Sequence, residues 1–175
     1  MQTVSTSIQL KKNISSWFSC LVLFLLLLIP LVNNGFESVQ AQQQEQNQTA
    51  LVSVGGANLL ASLSTTPDSQ SKGLAIKDSL NENEGMLFIF ESPQKYSFWM
   101  KDMKFPIDII WIDSAGKIVH IEKNLPPCVL LLPCPSYTPD ADSLYVLEVV
   151  SNFTNKFDIN IGDPVDSNVI KQSQG

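Results

Sequence analysis

The chain of 175 residues contains no arginine, one histidine and three cysteines, and only 16% of it is charged. Each shortage excludes something. A net charge of −6 with no arginine leaves few groups to contact phosphates, so nucleic acid is not an expected partner. The lone histidine, His120, rules out a multi-histidine zinc centre within one chain. No G-x-G-x-x-G or G-x-x-x-x-G-K-[ST] stretch occurs, which removes nucleotide binding through those loops. The G-x-S-x-G turn that carries a hydrolase serine is missing too. No cofactor is expected.

Part of the charge deficit is local. Residues 17–32 (WFSCLVLFLLLLIPLV) carry no charge, follow Lys11 and Lys12, and lead to the small-residue pattern Ser38-Val39-Gln40-Ala41. That order matches a secretory signal. The alternative is an uncleaved anchor helix: sixteen residues fall short of a hydrocarbon core of about 30 Å, and counting back to Ile14 nearly spans it. Either way the remainder is exported, extracellular or held at the outer face of the cytoplasmic membrane. Membrane contact, if the segment is uncleaved, is confined to residues 14–32. Cys20 lies at the start of this run and reads as one more small apolar residue.

Residues 1–41 are therefore signal or anchor. The Gln- and Asn-rich residues 42–50 form a polar linker without branched apolar or aromatic groups to bury. Residues 51–170 have the length of one domain, and 171–175 form a tail. Two sequons, at Asn47 and Asn152, would lie on the exported side as glycosylation candidates.

The body reads as short strands joined by Pro- and Gly-containing turns. Residues 107–113 and 118–123 flank a turn containing Gly116, which is a hairpin signature. Residues 85–90, 96–100 and 145–150 also read as strands, with room for helical turns in 67–80 and 152–157. The expected fold is mainly β: a compact single-domain sandwich or jelly-roll-like barrel with one or two short helices.

Alternation puts acids on apolar faces. Asp108 falls with Ile110 and Ile112, opposite Ile107, Ile109 and Trp111; Glu148 falls between Val146 and Val150. His120 and Glu122 fall with Ile118. A carboxylate so placed must be paired, hydrogen-bonded or protonated. It is either a structural knot or a binding or catalytic group, and a fold-back at Phe105-Pro106 would make Lys101 the nearest available cation for Asp108.

Cys128 and Cys134 are the two cysteines beyond the export segment, and in an exported domain they read as a disulfide. So small a ring contributes about 2 kcal/mol on the loop-entropy model. Met86, Met100, Met103 and His120 are soft groups suited to copper(I), with ordinary core packing as the competing account of the methionines.

Several phrases mark the body: Lys72-Gly73-Leu74, Glu84-Gly85-Met86-Leu87-Phe88-Ile89-Phe90, Ser97-Phe98-Trp99-Met100-Lys101, and Phe105-Pro106-Ile107-Asp108-Ile109-Ile110-Trp111-Ile112-Asp113. Beyond them stand Pro126-Pro127-Cys128, Cys134-Pro135-Ser136-Tyr137, Tyr145-Val146-Leu147-Glu148-Val149 and Ile161-Gly162-Asp163. In this order they resemble the family known as domain of unknown function 192 (DUF192). The resemblance implies a compact β-sandwich related to jelly rolls and attaches no biochemical activity. Ala75 stands where the family usually has Met, and Asp102-Met103 where it tends to carry Asn-Thr.

Two classes of function follow. In the first, an exported, non-enzymatic binding or envelope accessory module displays Trp99, Lys101 and Tyr137 around a concavity. Asp108 and Glu148 form its floor, and its ligand is a sugar or other small polar molecule. In the second, an envelope hydrolase uses Asp108 and Glu148 as acid and base. A copper-binding protein is the third reading.

Overall fold

The computed structural model describes residues 48–128 and 133–172. The signal-or-anchor segment 1–41, most of the linker including Asn47, and the end of the tail lie outside the described residues. The linker gives way to structure slightly early, because β1 (Thr49–Val54) begins within it and turns through Gly55-Gly56 into β2 (Ala57–Ser64). Both glycines have positive φ, +57° and +78°, and Val54 pairs directly with Ala57 across them. Two central residues at positive φ are what a tight hairpin with the correct twist requires.

From β2 the chain runs through α1 (Pro67–Lys72) and a 3-10 turn (Gly73–Ile76) to β3 (Glu84–Gln94). Thr66 caps α1: its hydroxyl accepts from the Ser69 N–H while the Ser69 hydroxyl accepts from the Thr66 N–H. β2 and β3 are parallel, and parallel neighbours need a crossover connection. Here α1 and the 3-10 turn are that crossover. β4 (Phe98–Trp99), β5 (Ile107–Ile112), β6 (Ile118–Leu125), β7 (Ser136–Tyr137) and β8 (Ser143–Val150) follow. Helix α2 (Phe153–Lys156), β9 (Val165–Ser167) and α3 (Asn168–Gln172) complete the described chain.

The fold is mainly β. Seven strands form one curled sheet in the order β6-β5-β8-β3-β2-β1-β9, and β4 and β7 form a separate two-stranded ribbon. Of the expected sandwich or jelly-roll-like barrel, the described strands show the β content, as this half-barrel and ribbon. Apolar residues pack on both faces of the sheet. One cluster joins Val52, Leu59, Leu87, Ile110, Ile112, Leu147 and Val149 to Phe153 and Ile170 of the C-terminal helices. The other joins Met86, Phe88, Ile107, Ile109, Trp111 and Val146 to Leu74 of the crossover and to Met100 and Met103.

The alternation along β5 is therefore as its sequence implies. Along β6 it is not. Trp111 pairs with His120 but Ile112 with Ile118, so one extra residue is accommodated at Val119. A bulge turns the side chains beyond it. Ile118 packs in the first cluster, whereas Val119 packs against the second and the His120 ring meets Trp111 edge-on at 5.2 Å. His120 and Ile118 thus do not share a face.

Candidate functional site

Asp108 and Glu148 lie on adjacent strands, but the register separates them. Asp108 pairs with Val149, while Glu148 pairs with Ile109 on one side and Met86 on the other. Directly opposed residues share a face and successive residues alternate. Asp108 accordingly lies on the face of the first cluster and Glu148 on that of the second. They stand back to back across one sheet, so they cannot work on a common bond as acid and base.

Asp108 is fully buried and saturated. Its Oδ1 accepts from the N–H groups of Asn124 (2.8 Å) and Asn152 (3.1 Å). Its Oδ2 accepts from the N–H (2.9 Å) and hydroxyl (2.6 Å) of Thr154. Asn124 and Asn152 both have positive φ, +54° and +67°. The carboxylate thus ties the irregular end of β6 to the turn between β8 and α2. Lys101 is not among its partners; the Lys101 ammonium sits 5.5 Å from the centre of the Trp99 ring instead. These four bonds tie Asp108 into a knot, and it does not line the cleft described below.

Glu148 is 4% exposed and has far fewer partners. Its Oε2 accepts one bond, from the Leu74 N–H at 3.3 Å. No other described group donates to it, and its carboxyl forms part of the lining of a cleft of about 490 Å³. Burial among apolar neighbours pushes its pKa up to about 8, partly offset by the Leu74 N–H. At neutral pH it is predominantly a neutral acid, with an O–H to donate.

The cleft lies between the crossover and the segment that follows β3. Gln70 to Ile76 form one wall; Tyr96 to Trp99 and Lys101 to Met103 form the other, over Phe88 and Phe90. The aromatic wall is internally braced. Phe90 and Tyr96 stack with ring centres 3.5 Å apart, and Phe98 meets Phe88 and Trp111 edge-on at 4.9 and 5.8 Å. The Trp111 indole N–H donates to the Tyr96 carbonyl at 2.8 Å, fixing the loop from beneath. Two large apolar side chains at the cleft remain in water: Trp99 is 56% exposed and Ile76 63%.

Gly73 gives the crossover a backbone conformation that other residues rarely adopt. Its φ of +51° with ψ of −145° falls where essentially glycine alone is found. A Cβ there would meet Glu148 Oε2 and Phe88 Cζ, each at 3.4 Å. The backbone therefore passes directly over the carboxyl.

Of the expected site residues, Trp99, Lys101 and Glu148 come together in the cleft, while Asp108 and Tyr137 do not line it. Tyr137 pairs with Phe98 in the ribbon and packs partly buried behind the cleft wall. Cys128 and Cys134 are joined, with Cα atoms 5.6 Å apart. The Cys128 N–H donates to the Met100 carbonyl at 2.9 Å, which attaches this bridge to the same wall. Met86, Met100 and Met103 are buried in the second cluster. His120 lies between Glu122 (3.2 Å) and Asp140 (4.0 Å). Among the described residues no group of three or more His, Cys, Asp or Glu is arranged to hold a metal. The lining residues Gly73, Phe90, Tyr96 and Phe98 were not identified as site residues from sequence. Their signal was weak, because a glycine after a short helix and an aromatic-rich strand also fit ordinary packing.

Fold and site define a mainly β domain with a ligand-sized, aromatic-walled cleft closed at its base by a neutral carboxyl. The chain belongs to the DUF192 family (Uncharacterized ACR), whose model matches residues 50–167. No curated protein matches it. It is similar to a proposed transcription regulator from Sinorhizobium meliloti 1021, at 25% identity and a TM-score of 0.60, covering 68% of this chain and 91% of that one. It is also similar to a protein of unknown function from Novosphingobium aromaticivorans DSM 12444, at 26% identity and a TM-score of 0.59, covering 67% and 83%.

Proposed function

We propose that this protein is an exported, non-enzymatic module that binds a small polar ligand, of which a sugar is the best-fitting class. The observation that carries the reading is the cleft of about 490 Å³, within the size range of small-molecule sites, with the exposed Trp99 ring at its wall and Glu148 at its base. An exposed indole offers a flat apolar face for a sugar ring, and a few polar groups fix orientation. The positions of Asp108 and Glu148 weigh against the hydrolase reading. The regulator description of the Sinorhizobium protein is not carried over, since a chain without arginine at net −6 has little to offer phosphates. Export and an envelope role rest on residues 1–41.

A thermal-shift screen of the full chain against neutral, acidic and amino sugars tests the reading. Specific ligands raise the midpoint by mass action, and Trp99→Ala is expected to remove the shift. A panel with no shift, or a shift that survives Trp99→Ala, would count against it.

A further inference from the structure

The proposed binding reading does not say which chemistry the cleft selects, and the surroundings of Glu148 do. Its carboxyl is the most deeply buried polar group in the lining, and its one described partner is a donor, the Leu74 N–H. No lysine reaches it: Lys72 pairs with Asp68 at 2.7 Å, and Lys101 lies over Trp99. Its strand neighbours are Met86 and Ile109, both apolar. A carboxylate in such a place has nothing to balance its charge, so the acid keeps its proton. With Oε2 occupied by Leu74, the acid's O–H is the group left to meet a ligand.

Resting on the binding reading, we infer that the ligand is held through an oxygen acceptor that takes a hydrogen bond from the Glu148 carboxyl, so the cleft selects hydroxylated or carboxylated molecules over cationic amines. The aromatic walls alone would suit a quaternary ammonium as well as a sugar. The lysines decide between them. Lys72 and Lys101 both line the cleft, and among the described residues the ion pairs include Lys72 with Asp68 but none of Lys101. A cationic ligand would meet the Lys101 ammonium and an uncharged acid, with Asp102 the one other carboxyl group of the lining, since Lys72 is already paired with Asp68. A sugar or sugar acid would meet donors at both. Asp102 and Tyr96 are the other titratable groups of the lining. Tyr96 already donates its hydroxyl to the Ser92 carbonyl at 2.7 Å.

Calorimetric titration of the full chain with D-glucose, D-glucuronate and choline, at pH 6 and pH 9, tests this. The charges of these three probes do not change between the two pH values. If the protonated acid is required, glucose or glucuronate should bind at pH 6 and about tenfold more weakly at pH 9, one unit above the Glu148 value of about 8. Glu148→Gln, which keeps a donor but cannot ionise, should make that profile flat. Sugar binding independent of pH in the parent chain, and lost in Trp99→Ala, would overturn the inference and leave the binding reading intact. Choline binding that strengthens at pH 9 and is lost in Trp99→Ala would do the same. If none of the three probes binds at either pH, the inference and the sugar reading fall together.

Discussion

Asp108 and Glu148 are one residue out of register on neighbouring strands, and both are nearly inaccessible to water. Asp108 accepts four hydrogen bonds, three from backbone N–H groups and one from a hydroxyl. Glu148 accepts one. The face of the sheet accounts for the difference. Asp108 emerges where the chain bends twice, at Asn124 and Asn152, and bends leave N–H groups without strand partners. Glu148 emerges in mid-strand, where flanking backbone groups are committed to the ladder, beneath a crossover that supplies a single N–H. A buried acid surrounded by donors stabilises the fold; one left short of donors burdens it and remains available to a ligand.

Truncating Asp108 should break the comparison most visibly. Asp108→Ala strands four donors, the two of Thr154 fully buried, and is expected to cost about 3 kcal/mol, read as a lower denaturation midpoint. Asp108→Asn should cost less, because one oxygen still accepts. If Asp108→Ala leaves the midpoint unchanged, the structural assignment fails.

The next effect is at Gly73. Gly73→Ala places a side chain in a glycine-only region against the Glu148 carboxyl and should cost about 2 kcal/mol. The same substitution at the fully open Gly56, also at positive φ, separates backbone strain from crowding of the cleft floor.

A third test concerns pH. Between about 4.5 and about 8 the folded chain keeps a proton on Glu148 that the unfolded chain releases. Stability from this group is therefore complete below about 4.5, declines as pH rises, and reaches its floor above about 8, at about 1 kcal/mol per pH unit. Glu148→Gln should flatten this slope and be the more stable protein at pH 9. Urea denaturation of both chains across that range would show it. A parent chain whose stability rises through the window would refute the neutral-acid assignment.

The smallest expected change in stability is at Trp99. Because its ring is more than half exposed, Trp99→Ala should move the midpoint by no more than about 0.5 kcal/mol while removing ligand-induced shifts. A large loss of stability would mean the ring is structural rather than a binding surface.

How far the sequence led can be judged from the same residues. Alternation placed Asp108 with Ile110 and Ile112 and against Ile109 and Trp111, and the two clusters divide along that line. Periodicity within one strand could not say that Asp108 and Glu148 face apart, because that depends on the pairing register between β5 and β8. The bulge at Val119 also escaped, since an inserted residue looks like any other in a run of branched side chains. The β1–β2 hairpin had a usable signal in Gly55-Gly56 between alternating residues. The parallel pairing of β2 with β3 had none, and it carries the crossover over Glu148. Asp102, where the family tends to have Asn, has φ of +60°, a conformation that both residues tolerate. The substitution therefore keeps the local turn.

The knot around Asp108 also sets an order of events. Asn152-Phe153-Thr154 is a sequon, and its threonine hydroxyl is the group bound at 2.6 Å to Asp108 in a fully buried position. Any modification of Asn152 that had to engage that hydroxyl would therefore need the chain still open, before β8 and α2 dock. Folding at this corner would then act as a clock, a faster knot leaving a shorter interval for such a modification.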